Sequence, residues 1–159
     1  MTSRHPGTPK GAARPALQAL DLSRQESVSP HFQMLQAMHE TFARSLSNVL
    51  SPFLQSEIQV ILGGIRLTTM GDYQRTLPNP SCLVTLRLHP ETDRVVLCLD
   101  CSTALGLLDL LLGGSGSPKP DSRELTEIEW SLLEEISRVI VRCLGESWQS
   151  IKSVEFVVE

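Results

Sequence analysis

The sequence predicts an α+β domain, a mixed sheet with helices packed on it, preceded by a disordered tail. Three observations carry that expectation. Apolar residues recur at helical spacing over residues 32–50 and 128–143, they alternate over several short runs between, and the first 28 residues have neither pattern. With 159 residues, 41% hydrophobic and 20% charged, the chain suits one globular domain of residues 29–159 plus a tail of residues 1–28.

The tail, rich in Pro, Gly, Ser, Thr and Arg, holds too little apolar area to offset the entropy of ordering it. Within it, Ala16-Leu17-Gln18-Ala19-Leu20 reads as a short docking element or as plain linker. Order begins at Ser29-Pro30, an N-cap followed by a proline that needs no amide hydrogen in the first helical position. Phe32, Leu35, Met38, Phe42, Leu46, Val49 and Leu50 then mark one face of an amphipathic helix, which Ser51-Pro52 is expected to break. Ile58, Val60 and Leu62 alternate as a strand, with a bulge or bend at Gly63-Gly64 before Ile65 and Leu67.

The Leu77-Pro78-Asn79-Pro80 connection leads to a hairpin with strands at 83–88 and 94–99, turning through residues 89–93. Ser102 or Thr103 opens a helix ending at Leu112, apolar nearly all round apart from Gly106 and Asp109, hence buried on most sides. Gly113 is placed to take the left-handed conformation that ends it. Thr126 and Glu129 have capping-box spacing, and Leu125 and Trp130 stand where a hydrophobic staple closes. The helix they start runs from Glu127 to about Ser147, with Ile128, Leu132, Ile136, Val139, Ile140 and Cys143 inward. Its outer face carries Ser131, Glu134, Glu135, Arg138 and Arg142. Residues 153–159 read as a last strand, either a sheet edge or half of a larger unit. Between the two helices the glycine-rich loop is pinned at both ends, so its tip is the best candidate for a working surface.

Residues 1–28 carry four basic and two acidic groups, residues 29–159 ten and sixteen, so the domain is acidic and no nucleic-acid surface is expected. No apolar run approaches the roughly 20 residues that span a bilayer, and the polar start lacks a signal peptide's apolar stretch. These features read as a cytosolic chain. Cysteines 82, 98, 101 and 143 are expected to be reduced and mostly buried.

Most catalytic and metal motifs fail on context. Cys98-Leu99-Asp100-Cys101 has redox spacing but lacks the second pair a zinc site needs. His39-Glu40 has no second histidine one turn on. The glycine loop follows a helix, and Lys119 precedes Pro120, so neither a P-loop nor a dinucleotide fingerprint is met. No serine sits in a nucleophile elbow. No cofactor and no metal are expected.

Four segments, in order, carry a family resemblance: residues 39–47 (His-Glu-Thr-Phe-Ala-Arg-Ser-Leu-Ser), Leu77-Pro78-Asn79-Pro80, residues 111–116 (Leu-Leu-Gly-Gly-Ser-Gly) and residues 124–129 (Glu-Leu-Thr-Glu-Ile-Glu). Over residues 22–159 the chain resembles the FliM family of flagellar motor switch proteins, specifically the first half of its CheC-like middle domain. The resemblance implies a non-enzymatic part of the flagellar switch ring, at the inner membrane's cytoplasmic side, that couples chemotaxis signals to rotation direction. It implies that Gly113, Gly114, Ser115 and Gly116 bind the rotor protein FliG, so that Gly114→Trp should weaken binding and leave unfolding nearly unchanged. Neighbouring FliM copies and phosphorylated CheY are the other implied partners. The family's acidic-apolar CheY-binding peptide has no match here beyond Ala16–Leu20, and the family's middle domain continues past the point matching Glu159, so a fragment or a truncated product is expected. The alternative is a CheC-like phosphatase acting on phosphorylated CheY: Ser131 and Glu135 have the family's spacing, but Arg138 stands where an asparagine amide belongs and can only donate.

Overall fold

The computed structural model describes residues 29–117 and 123–159, and the tail and its docking element lie outside them. In chain order the elements are α1 (Pro30–Phe53), α2 (Met70–Thr76), β1 (Ser81–His89), β2 (Arg94–Asp100), α3 (Cys101–Leu111), α4 (Glu127–Trp148) and β3 (Glu155–Val158). The α+β class is as predicted.

Helix α1 starts at Pro30, after an extended Ser29, and buries Met38, Ala43, Leu46 and Leu50 along one stripe. It does not stop before Pro52, as the sequence suggests, but carries that proline inside its last turn and ends at Phe53. A proline so near the end forfeits one helical hydrogen bond, a smaller loss than mid-helix. The amides of Leu54 and Ser56, bonded to the Leu50 and Ser51 carbonyls at 2.8 and 3.1 Å, close the end.

The strand predicted over residues 58–67 does not form. The Val60 amide donates to Ser47 Oγ at 2.8 Å and the Ile58 amide to Ser51 Oγ at 3.0 Å. Two serines of α1 thus take the place of a neighbouring strand, while Ile58 and Val60 pack on the core. Ile61, next along, is 76% exposed. The short helix α2 was not anticipated, although Thr69, whose hydroxyl accepts the Asp72 amide at 3.1 Å, is an ordinary N-cap signal.

Strands β1 and β2 form the predicted hairpin, longer by a residue or two at most ends, in register from Ser81↔Asp100 to Arg87↔Arg94. Strand β3 pairs antiparallel with the other side of β1, Leu86↔Val158 to His89↔Glu155, giving the order β2-β1-β3. Among the described residues the sheet is therefore antiparallel throughout and not mixed. The segment that was to supply a further strand has its amides on Ser47 and Ser51. Among the described residues β3 lies at one side of this sheet.

Helix α4 packs against both α1 and α3, and Leu46, Leu50, Ala104, Leu108, Leu133, Ile136 and Ile140 form the centre of the core with Cys82 from β1. Ile128 is not inward as predicted but 75% exposed. The buried stripe of α4 steps through Leu133, Ile136, Ile140, Cys143 and Ser147, and carried back by the same steps it reaches position 129, leaving Ile128 off the face. All four cysteines are free thiols, three of them buried, and the Cys82 and Cys101 sulfurs lie 3.9 Å apart. Burial, then the neighbouring Cys101, pushes the Cys82 thiol up to about 12, the behaviour of a packing residue. No helix among the described residues is long and apolar enough to cross a membrane.

Candidate functional site

The glycine loop is held by the helix it terminates. Asp100, not Ser102 or Thr103, caps α3 at its start, its carboxylate accepting the Thr103 amide at 2.9 Å. Hydrogen bonds from Thr103 hold that carboxyl below its usual range. At the far end the Gly113 amide bonds the Leu110 carbonyl at 2.9 Å and the Gly114 amide bonds the Asp109 carbonyl at 2.7 Å. That pair of reversed bonds is the Schellman closure, and it requires the left-handed φ of 84° found at Gly113.

The chain then folds back along α3. Gly116, also left-handed at φ 69°, donates its amide to Asp109 Oδ2 at 3.0 Å. A Cβ on Gly114 would lie 2.5 Å from the Asp109 carboxylate carbon, and one on Gly116 would lie 2.7 Å from Leu110 Cγ. The glycines at 113, 114 and 116 thus each meet a different demand of one turn. Ser115, the fourth residue of the predicted set, faces solvent with its hydroxyl 2.9 Å from that of Ser117. Gly106 lies beneath the turn, where a Cβ would sit 3.4 Å from the Gly116 carbonyl, an ordinary contact distance.

The downstream side is pinned as predicted. Thr126 and Glu129 form the full capping box of α4. Arg123 adds a fork to Glu129, Nη1 to Oε2 at 2.8 Å and Nη2 to Oε1 at 2.5 Å. The Arg123 guanidinium, then the Thr126 amide, draw the Glu129 carboxyl down to about 2.

Sequence reasoning missed the neighbour of the loop. The end of α1, Phe53 to Ser56, faces residues 110–115 across a groove of about 440 Å³. On its rims Leu112 is 71% exposed and Phe53 38%. Gln55, between them in sequence space and lining the groove, holds a left-handed φ of 50°. The available signal was Asp109, a lone carboxylate in an otherwise apolar helix, whose role as the anchor of the loop shows only in three dimensions.

The outer stripe of α4 is exposed, and its groups have local partners. The Ser131 hydroxyl donates to the Glu127 carbonyl at 3.0 Å. Arg138 pairs with Glu135 and, at 2.9 Å, with Glu134.

Comparison with known proteins gives a consistent assignment. The family model described as flagellar motor switch protein FliM matches residues 28–159. Flagellar motor switch protein FliM of Treponema pallidum is 34% identical over 117 residues, 74% of this chain and 34% of that protein. Its counterpart in Borreliella burgdorferi is 31% identical over 116 residues, 72% of this chain and 33% of that protein. The chain thus spans about a third of the length of these curated relatives. Among solved structures, a FliG–FliM complex from H. pylori superposes with a TM-score of 0.78 at 28% identity, covering 83% of this chain and 73% of that one. The FliM middle domain from H. pylori gives 0.73 at 26% identity, over 83% and 71%. By its sequence over residues 28–159 and by its fold, this chain belongs to the FliM family of flagellar motor switch proteins.

Proposed function

We propose that this chain is a non-enzymatic component of the bacterial flagellar motor switch and that it binds the rotor protein FliG through the loop at Gly113, Gly114, Ser115 and Gly116. The observation that carries the reading is a loop fixed from within by Asp109 and the Schellman bonds, with Leu112 to Ser115 facing solvent. A prearranged loop loses little entropy on docking, and bare glycine backbone admits close approach of another chain. The H. pylori neighbour, which is a FliM in complex with FliG, supports the choice of partner. In this reading the chain lies on the cytoplasmic side of the membrane at the flagellar base, beside copies of itself. It passes a signal from phosphorylated CheY to FliG as a shift between two ring arrangements, biased by whichever ligand binds one arrangement better.

The test is titration of FliG against the full chain and its Ser115→Trp variant. Ser115 is the one exposed loop position of the four without glycine's conformational or steric demands, so a bulky side chain there obstructs a partner and spares the fold. Binding should weaken by about tenfold or more, as at a central interface position, with the melting temperature nearly unchanged. Unaltered binding would sink the reading.

The phosphatase alternative places Ser131 and Glu135 against phosphorylated CheY. Nothing in their geometry favours it: the Ser131 hydroxyl is spent on the Glu127 carbonyl, and Glu135 is paired to Arg138, which brings donors and no acceptor for a water. A phosphate-release assay on phosphorylated CheY separates the two readings, acceleration by this chain favouring the enzyme.

A further inference from the structure

Two helices end at the groove beside the glycine loop. Helix α1 finishes at Phe53 and α3 at Leu111, and residues from both ends line the groove. The carbonyl end of a helix carries roughly half a negative charge, which proteins commonly answer with Lys, Arg or His in the last turn. Neither last turn contains a basic residue. The lining residues, Phe53 to Ser56 and Leu110 to Ser115, include no charged side chain. They do offer oxygen acceptors at Gln55, Ser56 and Ser115, between the exposed apolar rims of Phe53 and Leu112.

We propose that this groove receives a cationic side chain, arginine or lysine, from the protein partner, with Phe53 and Leu112 holding the apolar residues that flank it. The proposal rests on the reading of the glycine loop as the FliG-binding element. It adds the end of α1 as the second wall of that surface and names what the wall recognises. Two negative helix ends in one partly enclosed groove attract a cation more strongly than an exposed single end does. The acidic balance of residues 29–159, ten basic groups against sixteen acidic, steers the same kind of partner from a distance. An anionic segment would meet like charge with no basic residue in the lining to answer it.

Gln55→Lys and Gln55→Glu test the charge from the same left-handed backbone, glutamate being isosteric with glutamine and lysine a longer, cationic chain. Ser56→Lys repeats the test one residue on should the first lysine variant fail to fold. FliG is titrated against the full chain and each variant from about 50 to 500 mM salt, a range over which the screening length shortens severalfold. The lysine variants, which supply their own cation, should weaken binding by about tenfold and flatten its salt dependence. Gln55→Glu should bind as well as the parent or better. Equal losses in Gln55→Lys and Gln55→Glu, or no change in either, would overturn the cation proposal while Ser115→Trp still weakens binding. If Ser115→Trp also binds normally, the loop reading itself fails.

Discussion

The carboxylate of Asp109 accepts the backbone amide of Gly116 at 3.0 Å, seven residues ahead in the chain, and lies where a side chain on Gly114 would have to go. One acidic side chain in the last turn of α3 therefore holds the turn at residues 113–116. The sequence expectation that Gly114→Trp would probe binding without touching stability does not survive this geometry, because any Cβ at position 114 must first displace that carboxylate.

Gly114→Ala should accordingly cost roughly 1–3 kcal/mol, the range for losing a hydrogen bond to a charged acceptor. Ser115→Ala should stay within about 0.5 kcal/mol, as exposed positions do. Urea unfolding of both variants beside the parent measures the contrast. Equal stability of the two would mean that Asp109 moves aside freely and that the loop is not held by it.

Glu129 gives the loop's downstream anchor a pH signature. Its folded pKa of about 2 lies below the ordinary 4.5, so its contribution is fully present above the unfolded value and is lost as pH falls from about 4.5 toward 2. Glu129→Gln should lower the melting temperature at pH 7. The gap to the parent should close as pH falls toward 2. A gap independent of pH would assign the effect to side-chain shape and not to the charge shared with Arg123.

The legible parts of this fold are those whose determinants are local. Thr126 and Glu129 announce their cap in four residues, the turn at residues 89–93 sits between two alternating runs, and Gly113 follows the end of an apolar run where a helix must terminate. The parts read wrongly depend on a distant neighbour. Ile58, Val60 and Leu62 alternate as a strand would, but the acceptors that the Ile58 and Val60 amides meet are Ser51 and Ser47 on a helix completed earlier in the chain. The placement of Phe53 and Gln55 across from Leu112 is likewise a consequence of α1 and α3 both packing on α4, for which no spacing rule exists. The four loop residues were identified as a unit, whereas the division of labour among them was not, since it turns on the position of Asp109.

Ser47 carries the clearest test of how the serine-docked segment is held. Its hydroxyl donates to the Ala43 carbonyl at 2.9 Å and accepts the Val60 amide at 2.8 Å, so it joins helix α1 to a segment that has no sheet partner among the described residues. Ser47→Ala leaves the part-buried Val60 amide without that acceptor, a loss on the order of 1–3 kcal/mol. The damage should be local, because Val60 packs at the margin of the core and Ile61 beyond it is already exposed. Native-state hydrogen exchange should therefore show the Val60 and Ile58 amides losing protection in Ser47→Ala while the β1–β2 amides keep theirs. Unchanged protection at Val60 would show that apolar packing alone holds the segment against α1, and the two serine contacts would then be incidental to its conformation.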